Sequence, residues 1–336
     1  MPKRVIIDTD PGVDDALALI LALRSPELEI EAITTVSGNV PVEQATKNVL
    51  RVLNLLDPKP RPPVAKGAAG PFKKPLVTAT VVHGADGLGD LDRFKNLDGS
   101  PRYLEPEVPR DLPSAHEAIL ELLGRYPGEL TLITLGPLTN LAQALLEDRE
   151  RVKTLREVVI MGGAIRAPGN ATPAAEFNIS IDPHAAQLVF ASGLPITLVP
   201  LDVTEKVTLS RDTIETIAQS SNDPLSQFIS DATGKVIEFM ERVAEVPAIT
   251  LHDPLAVGVV IDPSFVKTSP LHVDVETDGR ITEGMTVADL RSIRDDLKQP
   301  PNLHGALEVD ADRFLAFFLE RICRRDVTLS VSEGSS

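Results

Sequence analysis

The chain has little of several things, and each shortage removes a class of function. Of its 336 residues only Cys323 is cysteine, so no intrachain disulfide can form. That fits a reducing compartment and points to the cytoplasm, although exported bacterial proteins are often equally poor in cysteine. Tryptophan is absent and aromatic residues make up 4% of the chain, which excludes an indole platform for a flat ligand. Apolar runs are short: the longest, "ALALILAL", has eight residues, against the ~18 to 20 that a membrane-spanning helix needs. Asp8 interrupts the first apolar run before a signal-peptide core can form, so a soluble protein is expected. Basic residues are outnumbered, 33 against 49 acidic, for a formal charge of −16. Nucleic acid, whose phosphates need a basic face, is a poor partner for such a chain.

What is present is the composition of a globular protein, 43% hydrophobic and 24% charged. The β-branched runs "KRVIID" and "EIEAITTV" flank the helix-like "DDALALILALRS". "PVEQATKNVLRVLNLL" then repeats the helical period with Val42, Ala45, Val49, Val52, Leu53 and Leu56. Farther on, "SAHEAILELLGRY" opens with Ser114 and Glu117 at capping-box spacing. It is followed in turn by strand-like "ELTLITL", helix-like "LTNLAQALLED", strand-like "EVVIM", helix-like "PHAAQLVFAS" and strand-like "ITLVPLD". This alternation predicts an α/β fold: an open, mostly parallel central sheet with helices on both faces. Residues 57–113 are rich in proline and glycine, and 205–250 read as two polar-faced helices forming a cap. No internal repeat or linker divides the chain, so one domain is expected over 1–325, with a frayed tail at 326–336.

The most unusual stretch is "IIDTDPGVDDALALILAL", where Asp8, Asp10, Asp14 and Asp15 lie within eight residues. Asp8 and Asp10 end a strand, and Asp14 and Asp15 begin a helix. In open α/β sheets ligands bind at the carboxyl ends of strands. One aspartate here can merely cap the helix. Four cannot all do so, because like charges a few ångströms apart raise one another's pKa and cost stability unless something neutralises them. A hard, oxygen-coordinated cation, Ca²⁺ or Mg²⁺, is the natural neutraliser. Two further segments carry polar groups. "LTLHDPLAVG" sets His252 and Asp253 at a helix start, where Asp253 is either a cap or a ligand. "MGGAIRAPGNATPAAEFNISIDPHAA" sets Asn170, Glu176 and Asn178 among small residues and prolines, either as a polar surface loop or as groups for sugar hydroxyls.

The motifs "DTDPGVDDALAL", "SGN", "HGADGLG", "LGPLTNLA", "MGGA", "GNATPAAEFN", "DPHAA" and "HDPLAVG", in this order, resemble those of the inosine-uridine-preferring nucleoside hydrolases, from Lys3 to about Phe318. The resemblance implies the nucleoside hydrolase fold and a Ca²⁺-dependent ribonucleoside N-ribohydrolase, working as a homodimer or homotetramer. It implies that Asp10, Asp15 and Asp253 ligate Ca²⁺ through carboxylates and Leu135 through its carbonyl. Asp14, Asn39, Asn178 and Asp253 would hold the ribose 2′ and 3′ hydroxyls, Asn170 and Glu176 the 5′ hydroxyl, and Met161 would pack near the sugar. Asp8 would lie behind the site. Asp10 would be the general base toward a Ca²⁺-held water, with an oxocarbenium-like sugar stabilised by the carboxylates. His252 stands where part of the family has a histidine proposed as general acid, although a histidine at a helix start can equally be packed or hydrogen-bonded. His83, on a glycine-rich loop, is a second base-side candidate, and Phe228, Phe239 or His83 would have to serve for stacking. Two other classes fit less of the sequence. An aspartyl phosphotransferase using Mg²⁺ shares "DTD" but usually has Thr or Val where Gly12 stands, and a non-catalytic ribose- or nucleoside-binding protein would be expected to carry an export signal.

Overall fold

The computed structural model describes residues 1–220 and 223–323. The expected tail, 326–336, lies outside the described residues. Eight strands form the main sheet: β1 (Lys3–Thr9), β2 (Leu28–Thr35), β3 (Val64–Lys66), β4 (Leu130–Thr134), β5 (Glu157–Met161), β6 (Ile196–Val199), β7 (Val266–Leu271) and β8 (Leu303–Val309). Their order across the sheet is β3-β2-β1-β4-β5-β6-β8-β7. All neighbours run parallel except β7, which pairs antiparallel with β8 at one edge. Pro270 and Lys267 on that edge discourage further strand pairing.

The principal helices are α1 (Val13–Leu23), α2 (Val42–Leu56), α3 (Ala115–Arg125), α4 (Thr139–Glu147), α5 (Pro183–Phe190), α6 (Arg211–Ser220), α7 (Pro224–Ala244), α8 (His252–Ile261) and α9 (Ala311–Ile322). Because side chains alternate across a strand, the central strands feed two cores. Val5, Ile7, Ile133 and Val159 face α1, α2, α7, α8 and α9, whereas Ile6, Leu132, Val158 and Ile160 face α3, α4 and α5. Both faces are covered, as a parallel sheet requires. Among the described residues no helix is long and apolar enough to cross a membrane.

The topology fixes where a ligand can sit. From β1 the chain winds outward through β2 and β3, and from β4 it winds the other way through β5 and β6. The β1–β4 pair is therefore the switch point, and the crevice beyond its carboxyl ends is the expected ligand site. Asp8 and Thr9 end β1, and Leu135 and Gly136 follow β4. Helix α1 enters the core immediately afterwards, with Leu17, Leu19, Ile20 and Leu21 fully buried. Burial at roughly 1.5–3 kcal/mol per large aliphatic side chain anchors a first turn that would otherwise repel itself.

Two local expectations change. The helix after Ser114 forms, but the Ser114 hydroxyl donates to the Glu117 carboxylate at 2.7 Å and makes no cap bond to the backbone. The proline-rich stretch contributes edge strand β3 and a one-turn helix at Thr80–His83. The cap over 205–250 consists of α6, α7 and the antiparallel pair Thr208–Ser210 with Ala248–Thr250. It is fastened to the excursion: Lys235 pairs with Asp90, and Asp231 accepts from Arg102 at 2.7 Å and Tyr103 at 2.8 Å.

Candidate active site

Asp10 follows β1 and is wholly buried. Its Oδ2 accepts from the Asn39 backbone N–H at 2.5 Å, while its Oδ1 has no hydrogen-bond partner among the described residues. Two glycines make room for it. A Cβ on Gly38 would lie 2.0 Å from Oδ2, and one on Gly136 2.3 Å from Oδ1, so any larger residue in "SGN" or "LGP" would displace the carboxylate.

Asp15 is held more fully. Its Oδ1 accepts from Thr9 Oγ1 at 2.5 Å, and its Oδ2 from Gly12 N at 2.9 Å and Asn39 Nδ2 at 3.0 Å. One oxygen each of Asp14, Asp15 and Asp253 lies within 4.8 Å of the others, a cluster able to hold a metal ion. Asp253 reaches it from the first turn of α8. Burial, then the charges of Asp15 and Asp14 and of Asp10, lift the Asp253 carboxyl well above the usual range. Asp10 is likewise raised by burial and then Asp15, and Asp14 is pushed up to about 8 by burial and Asp15. Asp8 sits behind, bonded to Thr34 Oγ1 and to Asn140 Nδ2 at 2.7 Å, and burial lifts it to about 7. Carboxylates in this state call for a compensating positive charge.

The opposite wall is built after β5. Asn178 Nδ2 donates to the carbonyls of Leu135 at 2.7 Å and Met161 at 3.2 Å, joining the ends of β4 and β5. Met161 Sδ lies 3.4 Å from the same nitrogen. Glu176 caps the short helix Phe177–Ile181, accepting from Asn178 N at 2.8 Å, Ile179 N at 3.1 Å and Gly163 N at 3.0 Å. Asn170 is exposed at the outer end of this loop, and its Oδ1 accepts from Phe177 N at 2.9 Å. Sequence spacing brings none of these residues beside the aspartates; the sheet order does.

On the remaining side, His83 Nδ1 accepts from Val13 N at 3.1 Å, and His252 Nδ1 bonds Thr204 Oγ1 at 2.8 Å. Burial pushes both imidazoles down to about 4, His83 with added repulsion from His252. Both are therefore neutral at neutral pH. The stacking candidates fare differently. Phe228 is buried in the core with Tyr103 packed on it edge-on at 5.8 Å, so it cannot face a ligand. Phe239 is half-buried with the Arg242 guanidinium 5.5 Å above its ring. Residues not anticipated from sequence are Thr9, Thr34, Asn140 and Thr204; "DTD" and "LTN" contain two of them, but each acts through a partner only the fold supplies.

Residues 5–316 match the model of the family described as inosine-uridine preferring nucleoside hydrolase. A curated relative from Salmonella gallinarum, a pyrimidine-specific ribonucleoside hydrolase, is 39% identical over 324 residues, covering 96% of this chain and 99% of its own. Among solved structures, a plant nucleoside hydrolase superposes with a TM-score of 0.85 at 34% identity, over 96% of this chain and 99% of that one. A purine-preferring ribonucleoside hydrolase from Gardnerella vaginalis gives 0.82 at 36%, over 95% and 98%. The chain belongs to the inosine-uridine preferring nucleoside hydrolase family, a family of enzymes.

Proposed function

We propose that the protein hydrolyses the N-glycosidic bond of ribonucleosides to ribose and free base, with Ca²⁺ as cofactor and Asp10 as the base toward water. The observation that carries this reading is Asp10 Oδ1, buried and without a hydrogen-bond partner among the described residues, in a carboxylate whose charge acts on those of Asp14, Asp15 and Asp253. Such an oxygen calls for a cation or a donor. The donor set fits a hard ion: carboxylate and carbonyl oxygens, with neither thiolate nor imidazole in the cluster, favour Ca²⁺ over zinc. Asp10, Asp15 and Asp253 would hold it, with the Leu135 carbonyl, whose second lone pair is available beside the one given to Asn178. When bound, the ion supplies positive charge that acidifies water and a hard site for hydroxyl oxygens.

The protein groups then divide the work. Asp14, Asn39, Asn178 and Asp253 hold the 2′ and 3′ hydroxyls, Glu176 and Asn170 the 5′ hydroxyl, and Met161 packs against the ring. Asp10 takes the proton of the attacking water at Oδ1. As the bond to the base breaks, positive charge grows on the sugar and the surrounding carboxylates favour it. The leaving base faces the histidines, each with Nδ1 already engaged, so Nε2 is the atom left to meet it. Assembly as a homodimer or homotetramer and a cytoplasmic setting belong to the same reading.

The test is incubation with uridine, cytidine, inosine and adenosine in phosphate-free buffer, following base by chromatography and ribose as reducing sugar. Both base classes are needed, because the relatives named above prefer opposite ones. Stoichiometric base and ribose are expected. Absence of free base with all four nucleosides would indicate a binding protein, and phosphate release from phosphoesters an aspartyl phosphotransferase.

A further inference from the structure

The turn that follows β5 is held from outside. Four successive backbone N–H groups are taken by side chains from three places: Gly163 N by Glu176, Ala164 N by Thr286 Oγ1 at 2.9 Å, and Ile165 N and Arg166 N by the Asp202 carboxylate at 2.7 Å each. Thr286 does more than accept. Its hydroxyl also donates to the Ala164 carbonyl at 2.5 Å, so one side chain satisfies both backbone groups of a buried residue. Its methyl closes on Gly163, where a Cβ would lie 2.9 Å from Thr286 Cγ2 and where φ is +75°. Thr286 is itself 2% exposed. It comes from the ribbon Val273–Val275 with Thr286–Ala288, whose Gly284 approach packs on Ser180 of the helix that Glu176 caps.

We infer that Thr286 is a positioning residue for ribose recognition, acting through the Ala164–Gly163 turn on the carboxylate of Glu176. This rests on the reading of Glu176 as the 5′-hydroxyl partner. The Gly163 N–H is one of three donors that fix the carboxylate, and it points correctly only while the adjacent Ala164 peptide is pinned. Removing the Thr286 hydroxyl leaves the Ala164 N–H and C=O unpaired in a buried position, and the turn relaxes toward other partners. Glu176 then keeps its two helix donors but loses the one that orients it across the crevice. The consequence falls on substrates that carry a 5′ hydroxyl.

The experiment compares uridine with 5′-deoxyuridine on the full-length, Ca²⁺-loaded enzyme and on Thr286→Val, Thr286→Ala and Thr286→Ser. Faster hydrolysis of the ribonucleoside than of its 5′-deoxy analogue by the parent verifies the underlying reading first, with inosine and 5′-deoxyinosine taking the place of the uridine pair if the parent prefers purines. If the parent hydrolyses neither nucleoside, or shows no preference for the 5′ hydroxyl, that reading fails. In Thr286→Val, kcat/KM for uridine should fall by roughly 10- to 100-fold, the usual consequence of unpairing a buried polar group. For 5′-deoxyuridine it should change by no more than about twofold, within the scatter of uncoupled sites. Thr286→Ser, which keeps the hydroxyl, should restore the preference for uridine, and Thr286→Val should add nothing to it in a Glu176→Gln background. Equal losses on both substrates, or an unchanged preference, would overturn the inference. If Thr286→Val is insoluble, Thr286→Ala decides by the same ratio.

Discussion

The backbone N–H of Val13 donates to Nδ1 of His83 at 3.1 Å. A backbone amide can only donate, so Nδ1 is the bare nitrogen and Nε2 carries the proton. The contact ties the glycine-rich loop to the first turn of the helix that carries Asp14 and Asp15. It also leaves the His83 Nε2–H as a neutral hydrogen-bond donor, free to meet a leaving base if the proposed reading holds.

The first expectation concerns that imidazole. Burial and the neighbouring His252 hold its pKa near 4, so it should stay neutral, with the proton on Nε2, from pH 5.5 upward. Two-bond ¹H–¹⁵N correlation spectra of labelled protein measure this directly. A proton on Nδ1, or titration near pH 6.5, would remove the Val13 bond from the account.

The second concerns the ribose diol. If Asp14, Asn178 and the cation hold the hydroxyls as proposed, 2′-deoxyuridine leaves buried polar groups unpaired. Its kcat/KM should fall below that of uridine by on the order of 10⁴. Comparable values for the two nucleosides would contradict the diol grip.

Much of this wall of the site is legible in sequence because its residues are neighbours there. Asp10, Asp14 and Asp15 sit on one strand-to-helix junction, and His252 with Asp253 on one helix start; a local pattern suffices. What escapes is long-range. Thr204 reaches His252, Asn140 reaches Asp8, and Thr286 reaches Ala164 only because the sheet order sets distant loops side by side. Phe228 looks available as an aromatic surface on a polar-faced helix, yet Tyr103, from the proline-rich excursion, covers it. Strand β7 also escapes a reading of alternating runs, since "VKTSPL" contains a proline and polar residues and pairs only at an edge.

The third prediction follows from the raised carboxyls. Folding lifts Asp8 to about 7 and Asp14 to about 8 from an ordinary 3.8. In metal-free protein their contribution to stability is whole below about pH 4. It is lost as pH rises through 7 to 8, because the unfolded chain has already released protons that the fold retains. A bound dication favours the ionised forms and offsets that loss. The Tm difference between Ca²⁺-saturated and chelator-stripped protein should therefore widen from pH 5 to pH 8. A difference that is constant or shrinks would show that the acidic cluster does not bind the ion.

The fourth separates the two roles open to His252. Burial leaves its free imidazole neutral at neutral pH, so it assists departure of the base only if bound substrate restores its proton or its ring N–H donates to the base. In that case His252→Ala should slow uridine or inosine hydrolysis by roughly 10² to 10⁴, the range of general acid–base assistance. A p-nitrophenyl riboside, whose leaving group departs as a stable anion, should be hydrolysed at nearly the parent rate. Equal losses on both substrates, at saturating Ca²⁺, would mean that His252 only packs beside Asp253 and Thr204.

The measurement that bears most directly on the central claim is ribose release by the parent and by Asp10→Asn, each with Ca²⁺, after chelation and after Ca²⁺ is restored. The parent should release ribose and base from a ribonucleoside, lose that activity on chelation and regain it with Ca²⁺. Asp10→Asn should remain folded yet be slower by at least about 10², because the amide cannot take the proton of water at Oδ1. Ribose release that survives complete metal removal, or an Asp10→Asn enzyme as fast as the parent, would contradict a site in which a buried aspartate and a bound cation act together on water.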